Sequence, residues 1–235
     1  MMYFGGKARI SKYIAEYINN IDGYDIYVEP FCGSCNVAEK INIKNKILND
    51  KHPYLIAMWK KLQEGWLPPT NVSEEYYKYI RKNKDKFPYL AGFVGFGCSF
   101  AGKWFEGYAR SNRNCNYALS AYNSVLRKIS KLKAAEFLNK DFSELDFCNS
   151  IIYCDPPYNN TVHYNKRLLG KFDYDLFLEW VKYQSTKNIV LVSEYKHNLP
   201  NDAHIVLELN SSKEIRNKND KRVPTTEILF TFNDI

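Results

Sequence analysis

The sequence has no apolar run that approaches the roughly 18 residues of a membrane-spanning helix. The N-terminal stretch, MMYFGGKARISKYI, also lacks an apolar signal core followed by a small-residue cleavage site. Internal repeats and low-complexity segments are missing as well, which argues against solenoid and disordered architectures. We therefore expect a globular protein of the cytosol, with no membrane partner.

Residues that bind metals are sparse. The chain has four histidines, and its six cysteines are scattered at positions 32, 35, 98, 115, 148 and 154. Cys32 and Cys35 form one C-x-x-C pair, but a structural zinc site would need a second pair or nearby histidines. We predict no metal, and reduced thiols instead of a disulfide framework.

The composition is that of an ordinary globular chain with an aromatic and basic bias. Of 235 residues, 45% are hydrophobic and 25% charged, and there are 19 Tyr, 14 Phe and 4 Trp. The net charge is +7, and the pI is about 8.9. A positive chain attracts polyanions, so nucleic acid is the first partner to consider.

Strands that alternate with helices occupy both ends of the chain. We predict strands at 24–29, 45–50, 151–154, 188–195, 204–209 and 226–232, and helices that begin near Asn36, at Pro53 and at Asp173. Such alternation predicts an α/β fold with an open, mostly parallel sheet. The last two strands, joined by a polar loop, predict an antiparallel edge.

The alternation stops between residues 60 and 134. Residues 71–87 form a basic, Tyr-rich helical pattern, and residues 117–133 form an amphipathic one. Between them, residues 90–114 are rich in glycine and aromatic side chains without a clear period. We predict that residues 60–134 are a small helical insertion in a domain made of 1–59 and 135–235.

The stretch VEPFCGSCN, at 28–36, carries a strand into a glycine turn. In open α/β sheets such a junction lies at the carboxyl edge, where nucleotides bind. Asp50 ends the next strand, 17 residues after Gly33, and a carboxylate there can accept hydrogen bonds from ribose hydroxyls. The spacing differs from G-x-G-x-x-G, which disfavours a dinucleotide. A tight turn without a ligand is the alternative interpretation.

The stretch IIYCDPPY, at 151–158, places a carboxylate between an apolar strand and two prolines. An aromatic amine such as the exocyclic nitrogen of adenine is a poor nucleophile, because its lone pair is delocalised into the ring. Asp155 and a carbonyl fixed by the prolines could accept both amine hydrogens, and Tyr158 could stack on the base. An Asp-Pro turn that only ends a strand explains these residues equally well.

The order of motifs resembles the Dam-like, D12-type (alpha-class) DNA adenine-N6 methyltransferases. The resemblance runs through nearly the whole chain, and GFGCSFAGKWFEGYAR, at 95–110, is similar to a segment of phage-type members. The matching stretches are YFGGK (3–7), VEPFCGSCN (28–36), ILND (47–50), LNKDF (138–142), IIYCDPPY (151–158), IVLVSEY (189–195) and TEILF (226–230).

The resemblance implies a Rossmann-like, S-adenosylmethionine (SAM)-dependent methyltransferase sheet and a helical target-recognition insertion at 60–134. Residues 1–59 and 135–235 would form the SAM-binding catalytic domain. The implied catalytic residues are Asp155, Pro156, Pro157 and Tyr158. The implied SAM-binding residues are Tyr3, Gly6, Lys7, Glu29, Pro30, Phe31, Gly33, Asp50, Asp141, Phe142 and Asp155.

Within the SAM site, Tyr3, Gly6 and Lys7 would contact the methionine end, flanked by Phe31 and Gly33, and Asp50 would hold the ribose. Asp141 and Phe142 would bind the adenine of the cofactor. Cys35 departs from the family, which often has glycine or another small residue there. The thiol is small enough to be tolerated.

The implied partner is double-stranded DNA in bacterial or phage-infected cytosol, with a cognate restriction endonuclease as a further candidate partner. A monomer would suffice, and a dimer stays open as an alternative. The candidate DNA-binding residues are Lys103, Trp104, Tyr108, Arg110, Arg113, Lys166 and Arg167. Two alternatives stay open. One is the same chemistry on RNA adenine or cytosine N4, and the other is a catalytically silent nucleic-acid-binding protein.

Overall fold

A computed structural model describes residues 1–110, 115–158, 169–209 and 226–234, together with the backbone of 214–216 and 222–224. The strands are β1 (Ile26–Glu29), β2 (Asn45–Asn49), β3 (Glu136–Leu138), β4 (Ile151–Cys154), β5 (Ile189–Tyr195), β6 (His204–Leu209), β7 (Glu214–Arg216), β8 (Arg222–Pro224) and β9 (Glu227–Thr231). The helices are α1 (Ser11–Asn19), α2 (Pro53–Gln63), α3 (Glu74–Lys82), α4 (Pro88–Gly97), α5 (Tyr117–Lys131) and α6 (Tyr174–Ser185).

Seven strands form one sheet in the order β3-β2-β1-β4-β5-β9-β6. The first five are parallel, and their order is that of a doubly wound nucleotide-binding sheet. β9 pairs antiparallel with β5 and with β6, while β7 and β8 form a separate two-stranded ribbon. The predicted α/β sheet with an antiparallel edge is therefore confirmed.

The central strands are buried because helices cover both faces of the sheet. All four residues of β4 are buried, as are the first six of β5, which explains why β4 and residues 189–192 of β5 read as continuous apolar runs. One apolar cluster joins α1, α2 and the insertion helices to one face. A second cluster on the other face contains Phe142, Phe177 and Trp180.

Three predictions about individual elements were wrong or incomplete. The helix predicted near Asn36 is only a single 3₁₀ turn, Ala38–Lys40. Cys35 has a left-handed backbone (φ 53°), and few residues separate the turn from β2, so no longer helix can form. α4 was missed because Ala91–Gly97 are all buried, which leaves no polar face and hence no visible period. The three-residue β3 was also missed.

Helices α3, α4 and α5 lie in the chain between β2 and β3, inside the predicted insertion. α2 supports them, because its backbone comes very close to α4 at Gly92. A Cβ atom added to Gly92 would lie 2.0 Å from the carbonyl oxygen of Tyr54 and 2.9 Å from Cβ of Met58. The contact therefore requires glycine. The insertion boundary at residue 60 stays a prediction.

None of the helices in the described ranges has both the length and the apolar character that a bilayer crossing requires.

We expect Gly92→Ala to separate α2 from α4 and to lower the free energy of unfolding by about 1–3 kcal/mol. Urea denaturation followed by circular dichroism measures this loss. Leu119→Ala, at an exposed position of α5, is the control and should change stability by less than about 0.5 kcal/mol. Equal stability of Gly92→Ala and the unmodified protein would contradict the close-contact interpretation.

Candidate active site

The candidate site lies at the carboxyl edge of the parallel strands. β1 ends at Glu29, β2 at Asn49 and β4 at Cys154. Because these neighbouring strands are parallel, the residues that follow them emerge at the same edge. The glycine turn after β1, Asp50 after β2 and Asp155 after β4 therefore lie at the same edge of the sheet.

The turn after β1 is held by a carboxylate and an indole. The backbone N–H of Gly33 donates to Oδ2 of Asp50 at 2.9 Å, and Nε1 of Trp59 donates to the Gly33 carbonyl at 3.0 Å. Gly33 has a left-handed backbone (φ 47°), and a Cβ there would lie 3.0 Å from the ring of Tyr3. Glycine is needed on both grounds.

The N-terminal segment folds over this turn. The Tyr3 ring lies against Gly33, and a Cβ added to Gly6 would lie 3.0 Å from Nδ2 of Asn36 and 3.1 Å from the Tyr3 carbonyl oxygen. Tyr3, Gly6 and Gly33, predicted from separate motifs, are thus brought together. The lack of side chains at both glycines therefore allows the N-terminal segment to pack closely on the turn.

Burial raises the pKa of the Asp50 carboxyl to about 6. Its oxygens accept the backbone N–H groups of Gly33 and His52, each at 2.9 Å, which opposes that rise. Burial also raises the pKa of Glu29 to about 8, and the nearby Asp155 adds to the rise. Glu29 accepts a hydrogen bond from the Tyr27 hydroxyl at 2.6 Å.

Asn49, the residue before Asp50, connects two loops and was not predicted. Its Nδ2 donates to the carbonyls of Pro30 and Lys140 at 2.9 and 3.0 Å, and its Oδ1 accepts the Lys140 N–H at 2.9 Å. The ILND motif contained it, but its neighbour Asp50 was the residue that suggested chemistry. Asn49 fixes the loop after β3 beside the turn after β1.

Asp141 and Phe142 lie in that loop. Asp141 caps a 3₁₀ turn through Ser143 and forms an ion pair with Lys51 at 2.7 Å, which lowers its pKa against the effect of burial. The Phe142 ring is buried and lies 5.7 Å from the ring of Phe31. Phe142 and Phe31 thus form an aromatic wall beside the glycine turn, and Asp141 precedes Phe142 in the chain.

The proline corner after β4 contains an ion pair. Nζ of Lys7 lies 2.8 Å from Oδ1 of Asp155, and 4.4 Å from the ring centroid of Tyr158. Lys7 also lies 3.7 Å from Oε2 of Glu227 on β9. Pro156 is buried and Pro157 is exposed, so of the two prolines only Pro156 packs against the rest of the protein. Glu227, inside the TEILF motif, was not singled out by the sequence.

Lys128 on α5 is another residue that the sequence did not predict. Its side chain is buried, and Nζ donates to the Ser34 carbonyl and to Oδ1 of Asn36 at 2.6 Å. A lysine on an amphipathic helix suggests a solvent-exposed face, so no sequence signal indicated this contact. It connects the insertion directly to the glycine turn.

The predicted DNA-binding residues lie in different environments. Trp104 packs between His52 and Tyr54, and the Tyr108 hydroxyl donates to the Val72 carbonyl at 2.7 Å. Arg110 is exposed and forms an ion pair with Glu74, and Lys103 lies 5.1 Å from the Phe4 ring centroid. Their contacts with DNA stay predictions. Arg113, Lys166 and Arg167 lie outside the described residues.

The described residues contain no group of three or more His, Cys, Asp or Glu side chains suited to a metal ion. The site offers a glycine turn, a buried carboxylate for hydroxyl groups, an aromatic wall and a carboxylate at a stiff corner. Such a set can bind a nucleoside and present an acceptor to a second, planar substrate.

Residues 3–96 match the family described as D12 class N6 adenine-specific DNA methyltransferase. The chain is also 26% identical over 219 residues to the type II methyltransferase M.FokI of Planomicrobium okeanokoites, covering 79% of this chain and 32% of that protein. The modification methylase StsI of Streptococcus sanguinis is 26% identical over 205 residues, or 74% of this chain and 30% of that one. These matches confirm the predicted resemblance. The chain spans about a third of the length of these relatives.

Solved structures give weaker similarities. The rRNA methyltransferase aviRa of Streptomyces viridochromogenes has a TM-score of 0.42 at 12% identity, covering 97% of this chain and 85% of that one. The putative methyltransferase yhhF of Escherichia coli has a TM-score of 0.40 at 10% identity, covering 98% and 88%.

We expect Glu29→Gln to change how stability depends on pH. The Glu29 pKa rises from 4.5 unfolded to about 8 folded, so the folded protein holds an extra proton between these values. The contribution of Glu29 to stability is therefore present below pH 4.5 and is lost as the pH rises to 8, by about 1.4 kcal/mol per unit. Glu29→Gln removes this loss, so its stability relative to the unmodified protein should increase with pH.

Urea midpoints at pH 5, 6, 7 and 8 measure the effect. The exposed Glu16 on α1 provides the control, because Glu16→Gln makes the same charge change without burial. Parallel pH profiles for Glu29→Gln and the unmodified protein would show that Glu29 titrates normally.

Proposed function

We propose that this chain, whose residues 3–96 match the D12 class N6 adenine-specific DNA methyltransferases, transfers the methyl group of SAM to the exocyclic amine of adenine in DNA. The observation that carries the proposal is the convergence of the glycine turn, Asp50 and the Asp155 corner at one sheet edge. One set of residues suits a nucleoside cofactor, and the other suits an aromatic amine.

The residues of the cofactor half fit SAM. The methionine part would lie at the left-handed Gly33 turn, beside Tyr3 and Gly6, which pack closely together there. Asp50 would accept the ribose hydroxyls, while Glu29, Pro30 and Phe31 line the same turn. Asp141 and Phe142 would bind the adenine ring. When bound, SAM supplies an electrophilic methyl group.

The Asp155 corner would prepare the amine. Its carboxylate would accept one amine hydrogen, and a backbone carbonyl fixed by Pro156 and Pro157 would accept the other, which frees the nitrogen lone pair. Tyr158 would stack on the base. Catalysis then comes mainly from orientation and from charges that are already in place.

A duplex hides the amine, so the base must leave the stack at a cost of a few kcal/mol. The net charge of +7 supports DNA as the partner, with Lys103, Trp104, Tyr108, Arg110, Arg113, Lys166 and Arg167 as candidate contacts. A monomer suffices for this reaction. A cognate restriction endonuclease is a further candidate partner, because the names of the relatives include type II methyltransferase and modification methylase.

Incubation with tritiated SAM and either DNA or RNA, followed by identification of the labelled base, separates the alternatives. Label in N6-methyladenine of DNA supports the proposal. Label found only in RNA or in cytosine would show that the substrate is RNA or cytosine instead of DNA adenine. DNA binding without any label would support a catalytically silent binding protein.

We expect Asp155→Ala to lower the rate of methyl transfer by about 1000-fold, because the amine loses its charged acceptor. SAM should still bind, since Asp50 and the Gly33 turn are unchanged, and calorimetry measures that affinity. Asp146→Ala is the matched control, because Asp146 is an exposed aspartate near the opposite end of β4. It should retain full activity.

Full activity of purified, folded Asp155→Ala would refute the proposed role of the corner. Loss of SAM binding together with activity would instead place Asp155 mainly in the cofactor half of the site.

A further inference from the structure

Lys7 contacts both groups that the target base would use. Its ammonium group pairs with Oδ1 of Asp155 at 2.8 Å, and it lies 4.4 Å from the centre of the Tyr158 ring. A base that stacks on Tyr158 and donates to Asp155 has to compete with this ammonium group. Lys7 must therefore give up at least part of these contacts when the base enters.

A lysine displaced from Asp155 needs another partner. The Lys7 side chain is only 6% exposed, and a buried ammonium group without a counter-charge is strongly destabilised. Movement of Lys7 into solvent would also require the surrounding segment to open. A second carboxylate within a small displacement would avoid both costs.

Glu227 is such a carboxylate. Its Oε2 lies 3.7 Å from Nζ of Lys7, and its side chain is 2% exposed. Glu227 on β9 pairs with Tyr195 on β5, and this strand pairing fixes the position of Glu227 beside the proline corner. The Tyr158 hydroxyl also points to it, at 3.5 Å.

Glu194 is another buried glutamate near this corner, and it accepts hydrogen bonds from residues other than Lys7. Its Oε1 accepts the Tyr195 N–H at 2.7 Å and Nδ2 of Asn198 at 3.1 Å. Glu194 therefore serves as a control of the same residue type in an adjacent strand.

We propose that Glu227 is a positioning residue that receives the Lys7 ammonium group when Asp155 turns to the target amine. The inference rests on the proposed function. In the resting site Lys7 screens Asp155, and during the reaction Glu227 retains Lys7 within the site while the carboxylate of Asp155 becomes available. Proton transfer between these residues is not required.

The first test does not depend on activity. Asp155→Asn removes the closer counter-charge and imitates an Asp155 occupied by substrate. Acetylation by acetic anhydride, quantified at Lys7 by mass spectrometry, reports whether the amine remains held. We expect Lys7 to stay protected in Asp155→Asn and to become labelled about tenfold faster in Asp155→Asn/Glu227→Gln.

Two further variants are the controls. Asp155→Asn/Glu194→Gln and Asp155→Asn/Tyr158→Phe should protect Lys7 as well as Asp155→Asn does. Melting temperatures verify that each variant is folded. Equal labelling of Lys7 with and without Glu227→Gln in the Asp155→Asn protein would overturn the inference.

The second test measures single-turnover methyl transfer with saturating SAM and DNA. Glu227→Gln should slow the step by about 100-fold, since a misplaced group near the reacting atoms has an effect of that size, while the SAM affinity stays unchanged. In a Lys7→Met protein the same substitution should have almost no further effect. An equal loss in both backgrounds would show that Glu227 does not act through Lys7.

The two proposals can fail separately. An unmodified protein that transfers no methyl group contradicts the proposed function, and the labelling experiment still decides the role of Glu227. An active unmodified protein with an equally fast Glu227→Gln variant contradicts only the inference about Glu227.

Discussion

The buried side-chain amide of Asn49 holds the loops after β1 and β3 together, and the candidate site depends on this connection. Its two ends are hydrogen-bonded to Pro30 and Lys140, so neither loop can move without leaving buried polar groups unpaired. The next residue, Asp50, is thereby placed under the Gly33 turn. A single amide at the end of β2 thus positions the glycine turn, the Asp50 carboxylate and the aromatic wall relative to one another.

Buried charges determine the electrostatics of this edge. Asp50 is balanced by backbone N–H groups, and Lys7 by two carboxylates. Lys128 is bound to neutral oxygens, and burial lowers its pKa. Such arrangements are costly in a low-dielectric interior and add little net stability. Under the proposed function, they supply fixed charges at the place where the cofactor and the amine would react.

The sequence was sufficient to predict those features that depend on residues close together in the chain. Continuous apolar runs predicted the central strands, and the strand-to-turn pattern predicted that the Gly33 turn lies at the carboxyl edge of the sheet. α4 could not be predicted from periodicity, because it is buried on all sides. Lys128 and Glu227 could not be assigned either. Their partners lie 94 and 220 positions away, and only the folded chain brings them together.

The position of β9 in the sheet has a consequence for folding. It lies between β5 and β6 in the sheet, although it is the last of the described strands in the chain. Until residues 227–231 pair with it, β5 has an unpaired, apolar margin that can join another incompletely folded chain. The sheet is complete only when residues 227–231 insert between β5 and β6. The same insertion places the Glu227 carboxylate next to Lys7. Completion of the fold and completion of the site are therefore one step.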